Sequence, residues 1–465
     1  MQHQPPSFTH SSFAGRIGIA RVDITPPAGI YFRNWGAAKH DVADSIHRPL
    51  SLSVLTLSPR DGKRTLVLVD ADLGWWRPLD LFHTFQARVL ECLSLKSTDF
   101  IFALTHTHAA PPLMEAEASL PGSQLLNSWF ADIYQASIDA IHDSRANQFD
   151  GLLEWHVGCC QLATVRDLPD PRSPADRFVC GYNPLEIADD TLLVGRVSDT
   201  GGKLRAKVVN YACHPTTLAW ENTAISPDYI GAMRETIETA TGGVALFMQG
   251  ASGELSPRHQ YVGNPAIADQ HGRQLGFSAL ATLQDMLPPA TELSYERTVE
   301  SGAPLAVWRH RNRTVSPMLQ SQQSTVNLPL KAWPTAAELG QQRRSCTDRA
   351  LQERLRRKQD IRRTLGDGNT FALPIWVWRI GDAVLAGSCC EAYSALQREL
   401  RQKFPNNTIL CINLANGSLG YLPSADKYDT DVYQVWQTPF ARGSLEILID
   451  KMSQVIGPLL ASENS

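Results

Sequence analysis

The stretch Phe102-Ala103-Leu104-Thr105-His106-Thr107-His108-Ala109-Ala110-Pro111 opens apolar and closes on two histidines separated by a single threonine. Its first half reads as a buried strand, and Pro111 and Pro112 predict a turn beyond it. Residues i and i+2 of an extended chain share a face, so His106 and His108 are expected to project together from a strand end. Two imidazoles so placed can hold a metal, or one can hold it while the other moves protons. A strand end with two solvated histidines is the plainer alternative.

Outward from this strand the pattern alternates between strand and helix. On its N-terminal side, residues 15–23 alternate as a strand, and residues 30–48 read as a loop that holds Trp35, His40 and His47. Residues 50–57 and 64–70 form a hairpin around Pro59-Arg60-Asp61-Gly62, and 78–93 has helical periodicity. On its C-terminal side come a helix over 125–145, a strand over 152–157 and a long irregular segment, 163–190, rich in Pro, Asp and Arg. A hairpin over 191–197 and 204–212 delivers His214. Ser226 is the expected N-cap of the next helix, with Pro227 at its first position. A strand over 244–248 runs into Gln249-Gly250-Ala251-Ser252-Gly253-Glu254-Leu255-Ser256-Pro257. A helix over 265–286, a strand-rich region over 292–332 and one long charged helix over 335–365 follow. A hairpin over 376–386 precedes a helix over 391–404 with Glu391 near its start, and a strand over 408–414 feeds Asn416-Gly417-Ser418-Leu419-Gly420-Tyr421. The expected fold class is α/β in the mixed α+β sense: one large layered catalytic domain, 15–465, with central β-sheets flanked by helices, behind a disordered leader, 1–14.

Composition excludes several classes of function. The chain has 465 residues, 43% hydrophobic and 19% charged, enough for a sizeable core. Its net charge of -4 speaks against a nucleic-acid surface. Basic residues at 343–344 and 354–363 alternate with Asp348, Glu353 and Asp360 on a helical pattern, which reads as a solvated helix face. No apolar run reaches the roughly 18 residues of a membrane span. Residues 1–12 are polar and lack the apolar core of a secretory signal, so a cytoplasmic protein is expected. The nine cysteines show no C-x-x-C spacing and read as reduced, mostly buried thiols.

Polar residues gather at expected strand ends: His106 and His108, His214, the glycine-rich loop ending at Ser256, and Tyr421, with Glu391 just after another. His106, His214 and Glu391 make a His₂Glu set, the donor type of hydrolytic zinc sites with an open position for water. His108 is then free as general acid and base. Tyr421 is a further ligand or a hydrogen-bond donor to a developing oxyanion. Ser256, with the backbone N–H groups of residues 250–253, is placed to bind a substrate hydroxyl or carbonyl. Trp75, Trp76, Trp220 and Trp436 are candidates for an apolar acyl pocket. Each residue alone also fits an ordinary packing role.

Taken together, "GIARVDITPPAG" (18–29), "THTHAAP" (105–111), "NYACHPTT" (210–217), "GASGELSPR" (250–258) and "NGSLGYLPS" (416–424) resemble the neutral, non-lysosomal ceramidase family. These are zinc-dependent amidases that cleave the N-acyl bond of ceramide. The resemblance runs over about 15–460 in the family's order. It implies one Zn²⁺ per chain, with zinc ligands at His106, His214, Glu391 and Tyr421 and the catalytic histidine at His108. It places the serine of the glycine-rich loop, a substrate-contacting or catalytic residue in the family, at Ser256. The active-site arginine falls on Arg166, with Arg172 and Arg177 in the same loop as alternatives. Extracellular members carry a signal peptide and an immunoglobulin-like domain. This sequence shows neither, so the resemblance implies an intracellular relative whose amide need not be ceramide.

The implied function is a zinc-dependent amidohydrolase acting on a small-molecule or lipid-like N-acyl substrate, with a homodimer as the expected assembly. Two alternatives keep the scaffold. One is a zinc-dependent esterase, lactonase or amide-forming acyltransferase on a small metabolite. The other is a non-catalytic binding protein.

Overall fold

The computed structural model describes residues 6–173 and 177–461. Its larger sheet has eight strands: β1 (Ser11–Asp23), β2 (Ser51–Ser58), β3 (Leu66–Ala71), β4 (Phe100–Leu104), β5 (Phe149–Cys159), β6 (Thr191–Asp199), β7 (Leu204–Tyr211) and β8 (Val244–Gln249). Their spatial order is β8-β7-β6-β5-β1-β2-β3-β4. The inner pairings are antiparallel, and only the two edge pairs, β3 with β4 and β7 with β8, are parallel. Parallel neighbours need a crossover rather than a tight turn. Helix α1 (Leu79–Leu93) makes it between β3 and β4, with α2 (Ser123–Ala146) beside it. Helix α3 (Tyr229–Thr241) makes it between β7 and β8, with α4 (Pro265–Gln284) beside it.

After an exposed ribbon (Thr291–Glu300 with Pro304–Asn312), the chain forms β9 (Leu319–Pro329), α5 (Ala336–Ser345), α6 (Arg349–Leu365), β10 (Thr370–Ile380) and β11 (Ala383–Ser388). Next come the short β12 (Glu391–Ala392), α7 (Ala395–Lys403), β13 (Thr408–Ile412), the short β14 (Tyr421–Leu422), α8 (Tyr433–Gln437) and α9 (Ser444–Ala461). The second sheet is β9-β10-β11-β13. Its β11 and β13 are parallel and joined through α7, a third crossover of the same kind.

Side-chain alternation explains the layering. In β2, Leu52 and Val54 pack with the helices on one face, while Leu55 and Leu57 pack on the other. In β10, Trp376, Trp378 and Ile380 meet Leu55, Leu57, Leu66, Ile101 and Trp155 of the larger sheet, whereas Leu373, Ile375 and Val377 face the helices. Both sheets are therefore buried on two faces, in the order helices, sheet, sheet, helices. Asparagines join the sheets where their edges meet. Asn210 Nδ2 donates to Cys411 O at 3.0 Å, and Asn416 takes the Phe102 N–H at 2.8 Å while its Nδ2 donates to Phe100 O at 2.9 Å.

Several local expectations are corrected. Residues 7–8 pair with residues 293–294, and β1 begins at Ser11, so residues 6–14 are not a disordered leader. Fully buried Phe13 is the apolar position that the polar flanks hid. Residues 1–5 lie outside the described residues. The N-cap of α3 is Asp228, whose side chain accepts from Tyr229 N; Ser226 Oγ instead accepts from Asp228 N. The expected helix over 335–365 is two helices. Thr335 caps the first with a reciprocal Glu338 box and Asp348 caps the second, so the chain breaks over residues 346–348. Glu391 belongs to a strand, not to a helix start. No described helix is long and apolar enough to cross a membrane.

Candidate active site

The residues singled out in the sequence sit at the carboxyl ends of the three parallel pairs. The chain after β4 carries His106 and His108, the chain after β7 carries His214, and the loop after β8 is glycine-rich. Glu391 follows β11 and Tyr421 follows β13. Carboxyl ends of parallel strands are where open α/β sheets leave a crevice. Here three crossovers, from two sheets, open onto one such crevice.

His106 and His108 converge by a route that strand alternation does not supply. β4 ends at Leu104, and His106 has φ 69°, a left-handed backbone that histidine seldom adopts. The two rings still meet, their centroids 4.8 Å apart, and His106 lies 4.8 Å from the His214 ring. Ligand nitrogens of His106, His108 and His214 all lie within 4.8 Å of one another.

Neighbouring carbonyls fix two of the tautomers. His106 Nδ1 lies 3.1 Å from Gly74 O, and His214 Nδ1 lies 2.6 Å from Ser252 O. A carbonyl only accepts, so both Nδ1 atoms carry the proton and both Nε2 atoms present a lone pair to the site. Those Nε2 atoms lie 3.2 Å and 3.0 Å from one oxygen, Glu391 Oε2. His106 Nε2 makes no hydrogen bond there despite the short distance, and the buried His108 Nε2 has no partner at all. A buried nitrogen lone pair without a donor is costly unless something else fills the role. This donor set fits a metal ion.

Burial lowers His214 to about 3, with Arg166 adding to the effect. His108 is held well below the ordinary histidine range by burial and by His106 and His214, so it is neutral at pH 7. Burial by itself would raise the Glu391 carboxyl, but His106 and His214 outweigh it and hold the group well below the usual range. Burial and then Glu391 push the Tyr421 phenol well above its ordinary value.

Tyr421 and Glu391 are held side by side, because β12 and β14 pair in parallel at these two residues. Arg166 lies between two short strands (Ala163–Val165 and Asp167–Pro169) in the segment expected to be irregular. Its Nη2 donates to Gly253 O at 2.7 Å and reaches Tyr421 Oη at 3.2 Å and His214 Nε2 at 3.3 Å. Arg172 and Arg177 are exposed, and Arg177 pairs with Asp170 instead.

The glycine-rich loop acts differently from expectation. Three of the four N–H groups of residues 250–253 are committed within the fold: Gly250 N to Tyr211 O, Ala251 N to Gln397 Oε1 and Gly253 N to Ala392 O. These three are not available to a substrate. The loop contributes carbonyls instead, Ser252 O to His214 and Gly253 O to Arg166. Gly253 is required there, since a Cβ would come within 2.7 Å of the Tyr393 ring and 2.9 Å of Glu391 O. Ser256 is not among the residues that line the cavity. It is fully buried behind the cavity wall, where its hydroxyl accepts from Gln260 Nε2 at 2.7 Å, and Gln260 in turn holds Thr216.

No family model and no curated protein matches the sequence. Solved structures do match, among them two whose match covers 98% of this chain and 75% of theirs. One is a ceramidase complexed with C2, at TM-score 0.66 and 16% identity. The other is the neutral ceramidase from Pseudomonas aeruginosa, at TM-score 0.65 and 17% identity. The chain has the neutral ceramidase fold.

On this ceramidase fold, the site opens into a cavity of about 520 Å³ whose wall includes His106, His108, Arg166, Glu391 and Tyr421. Trp75, Trp76 and Trp220 line it, as expected of the aromatic candidates. Trp436 lies behind the lining, under the Arg354 guanidinium. Trp35 and Tyr261 line the cavity but were not singled out as pocket residues in the sequence. The His108 ring lies between Trp35, at 5.2 Å, and Trp75, at 4.8 Å. The largest omission is α6, expected to present its charges to solvent. Glu353, Arg354, Arg357, Asp360, Ile361 and Thr364 of this helix line the cavity. Their spacing is that of a single helical face, so the signal was present in the sequence.

Proposed function

We propose that the chain, over residues 15–465 as one unit, is a zinc-dependent amidohydrolase that cleaves an N-acyl bond. The observation that carries this reading is the convergence of two fixed Nε2 lone pairs on Glu391 Oε2, with an unpartnered His108 Nε2 beside them. The ceramidase structures, which share this fold, bring the amide bond as the reaction class.

His106, His214 and Glu391 would hold the zinc, which when bound supplies a Lewis acid for the amide carbonyl and lowers the pKa of water. Gly74 O and Ser252 O keep both histidines in the binding tautomer. His108 is neutral at pH 7 and takes a proton from the attacking water at Nε2. It then returns that proton to the leaving nitrogen, because an amide needs a protonated amine to depart. Trp35 and Trp75 hold its ring and keep bulk water from it. The Tyr421 phenol stays protonated and donates to the carbonyl oxygen as negative charge develops there. Arg166 positions that phenol and adds positive charge behind it. Ser256, through Gln260 and Thr216, supports the cavity wall and does not touch substrate.

The test is hydrolysis of a panel of N-acyl amides by the zinc-loaded full chain, beside matched esters and lactones. The reading predicts amide cleavage that is lost on chelation and restored by zinc. Ester or lactone cleavage with no amide cleavage would contradict it.

A further inference from the structure

The α6 wall of the cavity carries more positive charge than its carboxylates offset. Glu353 is shared by three guanidiniums: Arg77 at 3.2 Å, Arg356 at 2.8 Å and Arg357 at 3.0 Å. Asp360, the other carboxylate of this wall, pairs with Arg363 at 3.3 Å. Arg354 lines the cavity one residue along from Glu353, and among the described residues no carboxylate lies within ion-pair distance of it. Its guanidinium rests on the rings of Tyr433, at 5.6 Å, and Trp436, at 4.7 Å, which fix its position without neutralising it. Arg357 is held the same way, 5.0 Å over the Trp75 ring. The buried Arg77 also has an Nε with no partner. Burial, reinforced by Arg357 and Arg356, lowers Arg77 well below the ordinary guanidinium range despite Glu353.

Arg354 is exposed at the rim of the cavity and Arg357 is half-buried beside it, so the entrance presents positive charge that no carboxylate of the fold takes up in full. A cavity built for a neutral lipid amide gains nothing from it. A planar guanidinium matches carboxylate and phosphate oxygens two at a time. We propose that the substrate of this site is an N-acyl amide bearing an anionic group, a carboxylate or a phosphate monoester, which Arg354 and Arg357 bind. Trp35, Trp220 and Tyr261, in the same cavity, take its apolar part. The inference rests on the amidase reading for the scissile bond, but not for the anion site itself.

The experiment is a tryptophan-fluorescence titration of the metal-stripped full chain, so that neither turnover nor a metal–carboxylate contact contributes. The ligands are N-lauroylglycine with its neutral partner N-lauroylglycinamide, and N-lauroyl-O-phosphoethanolamine with its neutral partner N-lauroylethanolamine. If stripping alters the circular dichroism, the zinc-loaded His108→Gln chain is used instead. At least one anionic ligand is expected to bind roughly 100-fold tighter than its neutral partner. That advantage should fall at least tenfold in Arg354→Gln, where the stacked arginine holds no ion pair of the fold. An advantage in the glycine pair assigns a carboxylate, and one in the ethanolamine pair a phosphate. Equal affinities within both pairs, no binding of any of the four, or an advantage unchanged in both Arg354→Gln and Arg357→Gln would overturn the proposal. Turnover of the same four amides by the zinc-loaded wild type is scored separately. Anion preference without turnover sinks the amidase reading alone, and turnover indifferent to the anion sinks the anion site alone.

Discussion

His106 takes a left-handed backbone just beyond β4, and that turn, not the alternation of an extended strand, brings its ring against those of His108 and His214. The H-x-H pattern therefore marked the right residues for an incomplete geometric reason. Sequence spacing carries strand faces, but it does not carry a φ of 69°. The roles of the two histidines separate at this scale. His106 Nδ1 is tied to a carbonyl and its Nε2 faces Glu391, whereas His108 Nε2 has no hydrogen-bond partner. His108→Ala should keep its metal and lose about 10²–10⁴-fold in kcat, measured on an N-acyl amide with metal content determined on the same sample. Metal lost together with activity would make His108 a ligand. Tyr421→Phe should lower kcat by roughly 10²-fold or more with little change in KM, since its donor acts on charge that develops only in the transition state. The serine of the glycine-rich loop illustrates the limit of motif reading. Its neighbours were legible, but whether Ser256 Oγ faced substrate or Gln260 depended on how the chain turns over the next four residues, which the motif does not carry.

At the scale of elements, three strand–helix–strand crossovers each bring site residues to the carboxyl end of a parallel pair. The strands themselves were largely legible, because apolar runs bounded by turn residues fix them locally. The breaks between helices were less so: the cap at Asp348 divides a charged segment whose periodicity alone reads as continuous. The face of α6 was misassigned because charged residues at helical spacing usually point to water. Here they line the cavity and stack on its aromatic rings instead, Arg357 half-buried and Arg354 still exposed at the rim. Glu353 is the anchor of that face. Burial favours its neutral form, but Arg356, Arg357 and Arg77 together hold it at about 2. A folded pKa below the unfolded value contributes stability that is present above about pH 4.5 and is lost as pH falls toward 2. Glu353→Gln should destabilise the chain by about 3 kcal/mol at pH 7 by urea denaturation, leaving three guanidiniums unpaired. The gap between variant and wild type should narrow at pH 3; a gap independent of pH would show that the loss is steric. Gly253→Ala tests the other wall of the site. Its Cβ would press on Glu391 O and the Tyr393 ring, so metal affinity should fall along with stability, by about 1–3 kcal/mol.

At the scale of the whole molecule, the donor set is assembled from both sheets, His106 and His214 from the larger and Glu391 from the second. The layered order of helices and sheets could be anticipated from alternating strand and helix patterns. The packing of the two sheets against each other could not, because it is written in which face of each strand meets which, as at Trp378 and Leu57. A metal shared between the sheets should act as a staple between them. Chelation should lower the unfolding midpoint, and zinc at about 100 times its Kd should restore roughly 2.7 kcal/mol. Asn416→Ala, which cuts two buried hydrogen bonds between β4 and the chain after β13, should weaken stability and metal affinity together. The central claim is that these separated strand ends form one metal centre. Its most direct measurement is elemental analysis of the purified wild type beside His106→Ala, His214→Ala and Glu391→Ala, each supplied with zinc. The account predicts about one zinc per chain in the wild type and a loss in every one of these variants. Full zinc in the variants, or none in the wild type, would contradict it.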